Sequence, residues 1–200
     1  MGNHQVLNNS GINISSQDTW YALTTAELPD GIALTHISLL ELLHKQEKLN
    51  VLLPFADLLS ATNTLVGGLL QQVYELLIHH TGRLGVWMTA DTDADALAGL
   101  SEFLLAQALI VVHVPAFTDG RDFSFVQTLR QLGYKGEIRM AGAFGRDQIA
   151  YLLRVGADSF VLSEHDMKSS TDFDLSQAFT ALASAHSGRS AASLPMFSGA

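Results

Sequence analysis

The sequence contains no cysteine and few basic residues, with 11 Lys and Arg against 20 Asp and Glu among 200 residues. Without cysteine, the chain can form no disulfide, has no thiolate nucleophile and supplies no thiolate ligand to an iron–sulfur cluster. The formal net charge of −9 argues against general binding to nucleic acid or to an anionic membrane surface.

Motifs that would indicate a particular chemistry are also missing. No G-x-G-x-x-G run joins a strand to a helix, as dinucleotide binding requires, and there is no phosphate loop, H-E-x-x-H or G-x-S-x-G. We therefore expect no bound redox cofactor.

The spacing of Asp91, Asp93, Asp95 and Glu102 is similar to that of a calcium loop, but Ala96 stands where the sharp turn of such a loop needs glycine. Because aspartates at a helix N-terminus explain these residues more simply, we predict no metal site.

No apolar run is long enough to span a membrane, and the N-terminus lacks the basic and then apolar pattern of a signal peptide. A cytoplasmic protein is therefore the expectation.

Composition divides the chain into three parts. Residues 1–17 are polar and predict a mobile lead, residues 18–186 predict a single α/β domain, and the Gly- and Ser-rich residues 187–200 predict a disordered tail.

The organising stretch is 108–162, where apolar strand patterns alternate with helical ones. Strands are predicted at 108–114, 137–141 and 159–162, and each intervening helix has one apolar face. Further strands are predicted upstream at 31–37, 50–55 and 84–89, which gives about six β/α units, short of the eight of a full barrel. The pattern predicts parallel β/α units in an incomplete TIM-barrel-like fold. An open doubly wound sheet is the alternative, since the same pattern would also produce it.

Charged residues follow the strands of this stretch. Asp119 and Arg121 come after one strand and Arg146 and Asp147 after the next, while Arg139 lies inside a strand. Because the carboxyl ends of parallel strands share one edge, we expect the three arginines to converge with Asp119 and bind a small oxyanion. A structural role is the alternative for each. Asp147 would complement a helix dipole, Arg146 would be solvated, and Arg139 would pair with Glu137.

The same stretch resembles a bacterial family, the domain of unknown function 934 family, whose members are often labelled oxidoreductases and are encoded beside sulfite reductase. The resemblance covers roughly residues 18–162 and is carried by the runs FTDGR at 117–121, GYKGEIR at 133–139 and RDQ at 146–148, with GVW at 85–87, the acidic residues 91–95, Trp20 and LPDG at 28–31 upstream. It implies sulfite reductase or another sulfur-assimilation enzyme as a partner.

Three positions depart from the pattern of that family. His113 and Ala143 stand where the family usually has aspartate, and Ala116 stands where it usually has lysine. If those charged residues carry the family's activity, this member has an altered or lost function.

Two functions remain open. The first is an accessory binding or adaptor protein of sulfite reduction in sulfate assimilation, with no redox cofactor of its own. The second is a barrel-like enzyme acting on a small anionic substrate, with Asp119 or Asp147 as acid or base and Arg121, Arg139 and Arg146 as an anion clamp.

A long helical pattern at 56–80 has an apolar stripe wider than one sheet face needs. In the simpler interpretation, this helix covers the sheet. The alternative hypothesis is that a second subunit shares this stripe in a homodimer, formed through Leu65, Leu69, Val73, Leu76 and Leu77.

Overall fold

The computed structural model describes residues 4–23, 34–45, 47–56, 81–90, 101–116 and 121–163, together with positions 77, 79, 92–93, 97 and 179. Within these residues the strands are β1 (His4–Asn8), β2 (Trp20–Leu23), β3 (Thr35–Ile37), β4 (Leu49–Pro54), β5 (Thr81–Thr89), β6 (Leu109–Val114), β7 (Glu137–Gly142) and β8 (Ser159–Ser163). The helices are α1 (Leu39–His44), α2 (Ser101–Leu105), α3 (Arg121–Gln131) and α4 (Arg146–Val155), with a 3₁₀ turn at Ser15–Gln17. None of the described helices is long and apolar enough to cross a membrane.

The described strands form one eight-stranded sheet in the order β1-β8-β7-β6-β5-β4-β2-β3. All neighbouring strands are parallel except β1, which pairs antiparallel with β8. From β8 to β4 the strands stand in sequence order without the reversal that marks a doubly wound sheet. The sheet curls into a half-barrel, which confirms the prediction of an incomplete barrel-like α/β fold.

The two faces of the sheet have different cores. The larger core includes the buried residues of α1, α2, α3 and α4 and defines the outer face. A smaller cluster on the inner face is made of residues from the strands, namely Val6, Trp20, Leu52, Leu109, Val111, Ala141 and Val161. Because the described helices contribute only to the outer core, the layering is that of a barrel, with helices outside and strand side chains inside.

The burial of β6 shows why a strand of this fold has a continuous apolar sequence. All six of its residues are buried, with Ile110, Val112 and Val114 in the outer core and Leu109 and Val111 in the inner cluster. A strand covered on both faces needs a continuous apolar run instead of an alternating one. The flanking helix α4 ends as its sequence predicts, at Gly156, whose φ of +113° is left-handed and whose N–H bonds to the carbonyls of Leu152 and Leu153.

Part of the N-terminal segment, for which the composition predicts a mobile lead, forms a strand of the sheet. His4–Asn8 forms the edge strand β1, in which Val6 and Leu7 are buried on opposite faces. Ser15 then ties the 3₁₀ turn back, since its Oγ accepts a hydrogen bond from the N–H of Val6 at 2.8 Å. Two apolar residues in a polar stretch are a weak signal, and the pairing that orders them is with β8, far along the chain.

Several other predictions fall outside the described residues. These include the disordered tail at 187–200 and most of the helix at 56–80. Of the five residues of the proposed dimer face, Leu77 is described and is buried in the outer core, whereas Leu65, Leu69, Val73 and Leu76 lie outside the described residues.

Candidate functional site

Arg146 and Asp147 lie at the carboxyl end of the sheet, the edge where the parallel strands end. They are the first two residues of α4, and Asp147 is exposed while Arg146 is half-buried. Asp147 complements the positive end of the helix, and the side-chain oxygen of Gln148 accepts the N–H of Gly145 at 2.8 Å. Asp119 lies outside the described residues, and of Arg121 only its place as the first residue of α3 is described. The convergence of these residues stays a prediction.

The loop between β7 and α4 presses closely against the end of β6. Gly142 has a φ of +95°, and a Cβ atom placed there would lie 2.3 Å from the carbonyl oxygen of Val114 and 2.9 Å from Cδ2 of His113. Only glycine allows this approach without strain. His113 is buried beneath it, and Ala116 and Ala143 are exposed nearby in sequence. The three departures from the family pattern therefore all lie at the carboxyl ends of β6 and β7.

Arg139 lies elsewhere. It is the third residue of β7 and its side chain is 3% exposed on the inner face, in register with Val111 of β6 and Ser159 of β8. At about 3.3 Å per residue, three residues separate it from Gly142 by about 10 Å. It is therefore closer to the amino end of the sheet, where the parallel strands begin, than to Arg146.

The donors of Arg139 are taken up within the chain. Its Nη1 donates to Oδ2 of Asp18 at 2.8 Å, and its Nη2 and Nε donate to Oε1 of Glu137 at 3.0 and 3.2 Å. Ser159 completes the cluster, since its hydroxyl lies 3.2 Å from Nε and donates to the same Glu137 oxygen at 2.6 Å. A buried guanidinium needs such acceptors because an unpaired buried charge is costly.

Of the two carboxylates that pair with Arg139, one is predictable from the sequence and the other is not. Glu137 lies two residues away on the same strand face, and the sequence suggests it. Asp18 precedes β2, 121 positions away, and its contact with Arg139 crosses the inner face of the half-barrel. No local pattern marks Asp18, because its role depends on how the whole sheet curls.

A second arginine organises the amino end. Arg130 at the end of α3 forms an ion pair with Asp158 and donates to the main-chain carbonyls of Gly156, Tyr134 and Gly136 at 2.7 to 2.9 Å. Asp158 also accepts the N–H of Ile138 at 2.8 Å. Burial raises the pKa of the neighbouring Tyr134 hydroxyl well above its ordinary value. This network joins two helix ends to the start of β7.

Within the described residues, no group of three or more His, Asp or Glu side chains is arranged to hold a metal ion. The polar side chains that the structure brings together are instead the ion-paired clusters of Arg139 and Arg130, while Arg146 and Asp147 lie at the carboxyl end.

The organising stretch matches a known family. The family model described as bacterial protein of unknown function (DUF934) matches residues 85–197, more than half of the chain. The chain belongs to the DUF934 family. The match begins within β5, so in this DUF934 protein it covers Arg139, Arg146 and Asp147 but not Asp18. No curated protein is significantly similar to the chain.

Proposed function

We propose that this DUF934 protein is an accessory binding protein of sulfite reduction in sulfate assimilation, with no redox cofactor of its own. Two lines of reasoning support the proposal. The resemblance of the sequence to the family implies sulfite reductase as a partner, because family members are encoded beside it. The arrangement of the charged side chains favours binding over catalysis, as the position of Arg139 illustrates.

The observation that carries the proposal is the pairing of Arg139. An anion clamp needs guanidinium donors that face a substrate, yet those of Arg139 are used by Asp18, Glu137 and Ser159. Arg139, one of the three predicted clamp residues, therefore serves the fold. Binding to a partner protein needs no such clamp, and exposed side chains at the carboxyl end, such as Asp147, are available to it.

The test is binding to sulfite reductase. A tagged chain should retain sulfite reductase from a native lysate, and the two purified proteins should co-elute in size-exclusion chromatography. Arg146→Ala should weaken this complex, because Arg146 lies at the carboxyl end. Arg83→Ala is the matched control, since Arg83 is an exposed arginine near the start of β5, at the amino end. Failure of the purified proteins to associate at high concentration would contradict the proposal.

An enzyme acting on a small anionic substrate is the second candidate function. It is favoured by the adjacency of Arg146 and the exposed carboxylate of Asp147 in the first turn of α4. In this version Asp119 or Asp147 is the acid or base, and Arg121 and Arg146 bind the anion. Calorimetric titration with sulfate, sulfite and phosphate tests it. Heat that disappears in Arg146→Ala but persists in Arg83→Ala would support the enzyme, and no heat from any anion would count against it.

Three further properties belong to the proposal. Purified protein should show no visible absorption band after desalting, since no flavin, haem or iron–sulfur cluster is expected. Light scattering should give a homodimer, and a mass near 21.6 kDa at high concentration would remove that idea. Fractionation should find the protein in the cytoplasm.

A further inference from the structure

Helix α4 has an exposed face that includes a large aromatic side chain. Asp147, Ala150, Tyr151 and Arg154 follow one another at spacings of three, one and three residues, so they lie on one side of the helix. Asp147, Tyr151 and Arg154 are exposed, whereas the opposite side of α4 is buried in the outer core. Because Tyr151 is 50% exposed, much of its ring surface is open to a partner.

The ring of Tyr151 is held in place from one side. Phe123 of α3 meets it edge to face, with 4.7 Å between the ring centroids and 88° between the ring planes. A tyrosine ring fixed in this way loses little conformational freedom on binding, which is one reason why tyrosine is enriched at the centres of protein interfaces. The α4 face can therefore provide a central contact, although the ring alone does not identify what binds there.

The two charges on the face indicate what binds. Asp147 and Arg154 stand seven residues apart, about 10 Å along the helix axis, which is too far for an ion pair within one helix. Within the described residues, neither side chain takes part in a salt bridge. Each complements the dipole at its own end of α4. The same arrangement makes the face complementary in charge to a copy of itself that runs in the opposite direction.

A two-fold axis that passes between Ala150 and Tyr151 gives each of the four residues a partner. It places Asp147 opposite Arg154 of the second copy and Tyr151 opposite Ala150 of the second copy, and the symmetry repeats both contacts. Ala150 is small, so the two helices can approach closely enough for the ring to cover it. An axis at Asp147 or at Arg154 would instead bring like charges together, so the charges also fix the register.

We propose that α4 is the contact surface of a homodimer, in which it packs antiparallel against α4 of a second copy. The proposal rests on the homodimer expected above and gives it a surface other than the 65–77 stripe, of which Leu77 is buried. Because the two helices run in opposite directions, the carboxyl ends of the two sheets also point in opposite directions. Arg146 lies about 100° around the helix from Asp147, so the dimer leaves it outside the contact.

The contact is small, and the dimer should therefore be weak and reversible. One pair of short helices buries less than the roughly 1,200 Å² at which interfaces of standard size begin. Sedimentation velocity over a dilution series at low ionic strength measures the dissociation constant. The native chain should sediment as a monomer of 21.6 kDa at the lowest concentrations and approach twice that mass at the highest.

Charge reversal tests the pairing of the two copies. Asp147→Arg brings two arginines together and Arg154→Asp brings two aspartates together, so each should raise the dissociation constant of the dimer by about tenfold or more. The combined variant restores two pairs of opposite charge and should recover most of the native affinity. Lys135→Asp is the matched control, because it changes the net charge as Arg154→Asp does but lies at an exposed position just before β7.

Tyr151→Ala removes the central ring and keeps both charges, so it tests the same face if a reversed variant does not fold. It should also weaken the dimer, with circular dichroism to confirm the fold. The proposal is overturned if the native chain stays monomeric at high concentration, if the folded single variants dimerise unchanged, or if the folded combined variant shows no recovery. Binding to purified sulfite reductase is measured separately. A native chain that stays monomeric yet binds sulfite reductase overturns this dimer and leaves the accessory role standing.

Discussion

The two ends of the sheet use charged side chains in different ways. At the amino end, Arg130 and Arg139 are held by carboxylates, and Arg130 also by main-chain carbonyls, and Arg139 is 3% exposed. At the carboxyl end, Arg146 and Asp147 open a helix, and Asp147 is exposed. Arg139 within a strand and Arg146 after a strand therefore have different surroundings, although both are candidate site residues in the sequence. The ion-pair networks of Arg130 and Arg139 lie at the amino end, and we propose that residues for binding lie at the carboxyl end, as in barrels generally.

Arg139→Met should have the largest effect. It leaves Asp18 and Glu137 on the inner face without their cation, and breaking a buried ion pair in this way costs about 3–5 kcal/mol. Urea denaturation followed by circular dichroism should show this loss in the free energy of unfolding. A loss below about 1 kcal/mol would place Arg139 with weakly coupled surface charges and remove the contrast between the two ends.

A combined variant serves as the control for that change. Replacing Arg139 with Met together with Asp18→Leu and Glu137→Leu removes every charge of the cluster, so no buried ion remains unpaired. Most of the lost stability should return, because an apolar replacement of a buried ion cluster is often neutral or stabilising. Continued destabilisation would show that the shape of the cluster, and not its charge balance, matters to the fold.

Arg130→Ala should have the next largest effect. Its guanidinium donates to three main-chain carbonyls, of Tyr134, Gly136 and Gly156, and pairs with Asp158. The ion pair is part-exposed and contributes little, so the loss of about 2–3 kcal/mol comes mainly from the charged hydrogen bonds. Arg130→Lys separates the two contributions. It keeps the charge but lacks the planar fork, and thermal or urea denaturation should show only partial recovery. Full recovery would contradict the role assigned to the carbonyls.

Gly142→Ala tests the packing at the carboxyl end. The added Cβ would combine a left-handed backbone with a 2.3 Å contact to the carbonyl oxygen of Val114, so a loss of about 1–3 kcal/mol is expected. Gly133→Ala is the matched control, because its φ is also +95° but its nearest neighbour would be 4.0 Å away. The difference in unfolding free energy between the variants isolates the close contact. Equal losses would mean that backbone strain alone accounts for Gly142.

Asp147→Asn should have the smallest effect. Its carboxylate is exposed and interacts with the N-terminus of α4, which is worth about 0.3–1 kcal/mol at low salt and less when screened. The unfolding free energy should therefore change little, while binding to sulfite reductase or to an anion is the property expected to respond. A large loss of stability without any change in binding would make the carboxyl end structural too.

Local patterns predict much of the fold. The buried apolar run of β6 and the glycine that ends α4 at Gly156 indicate parallel β/α units, and the strand count indicates an incomplete barrel. The edge strand β1 is not predictable in this way, because Val6 and Leu7 become buried only when β8 pairs beside them. Propensity and periodicity describe neighbours in sequence, whereas an antiparallel edge strand depends on a distant partner.

The candidate site is predictable to a smaller extent for the same reason. The sequence places Arg146 and Asp147 after a strand, where the structure has them, and places Arg139 on one strand face with Glu137. Asp18, another partner of Arg139, lies 121 positions away and is brought close by the curl of the sheet. Whether an arginine binds a ligand or a carboxylate of its own chain therefore depends on register and curvature, which no short motif encodes.

The most direct test of the account is a double-mutant cycle on Asp18 and Arg139. The unfolding free energies of the native chain, Asp18→Ala, Arg139→Met and the double variant are measured in urea under the same conditions. If the pair joins the N-terminal segment to β7 across the inner face, the two changes should be non-additive by about 0.5–3 kcal/mol, the range for directly interacting residues. Additivity within about 0.5 kcal/mol, the behaviour of independent sites, would contradict the account and leave Arg139 available for another role.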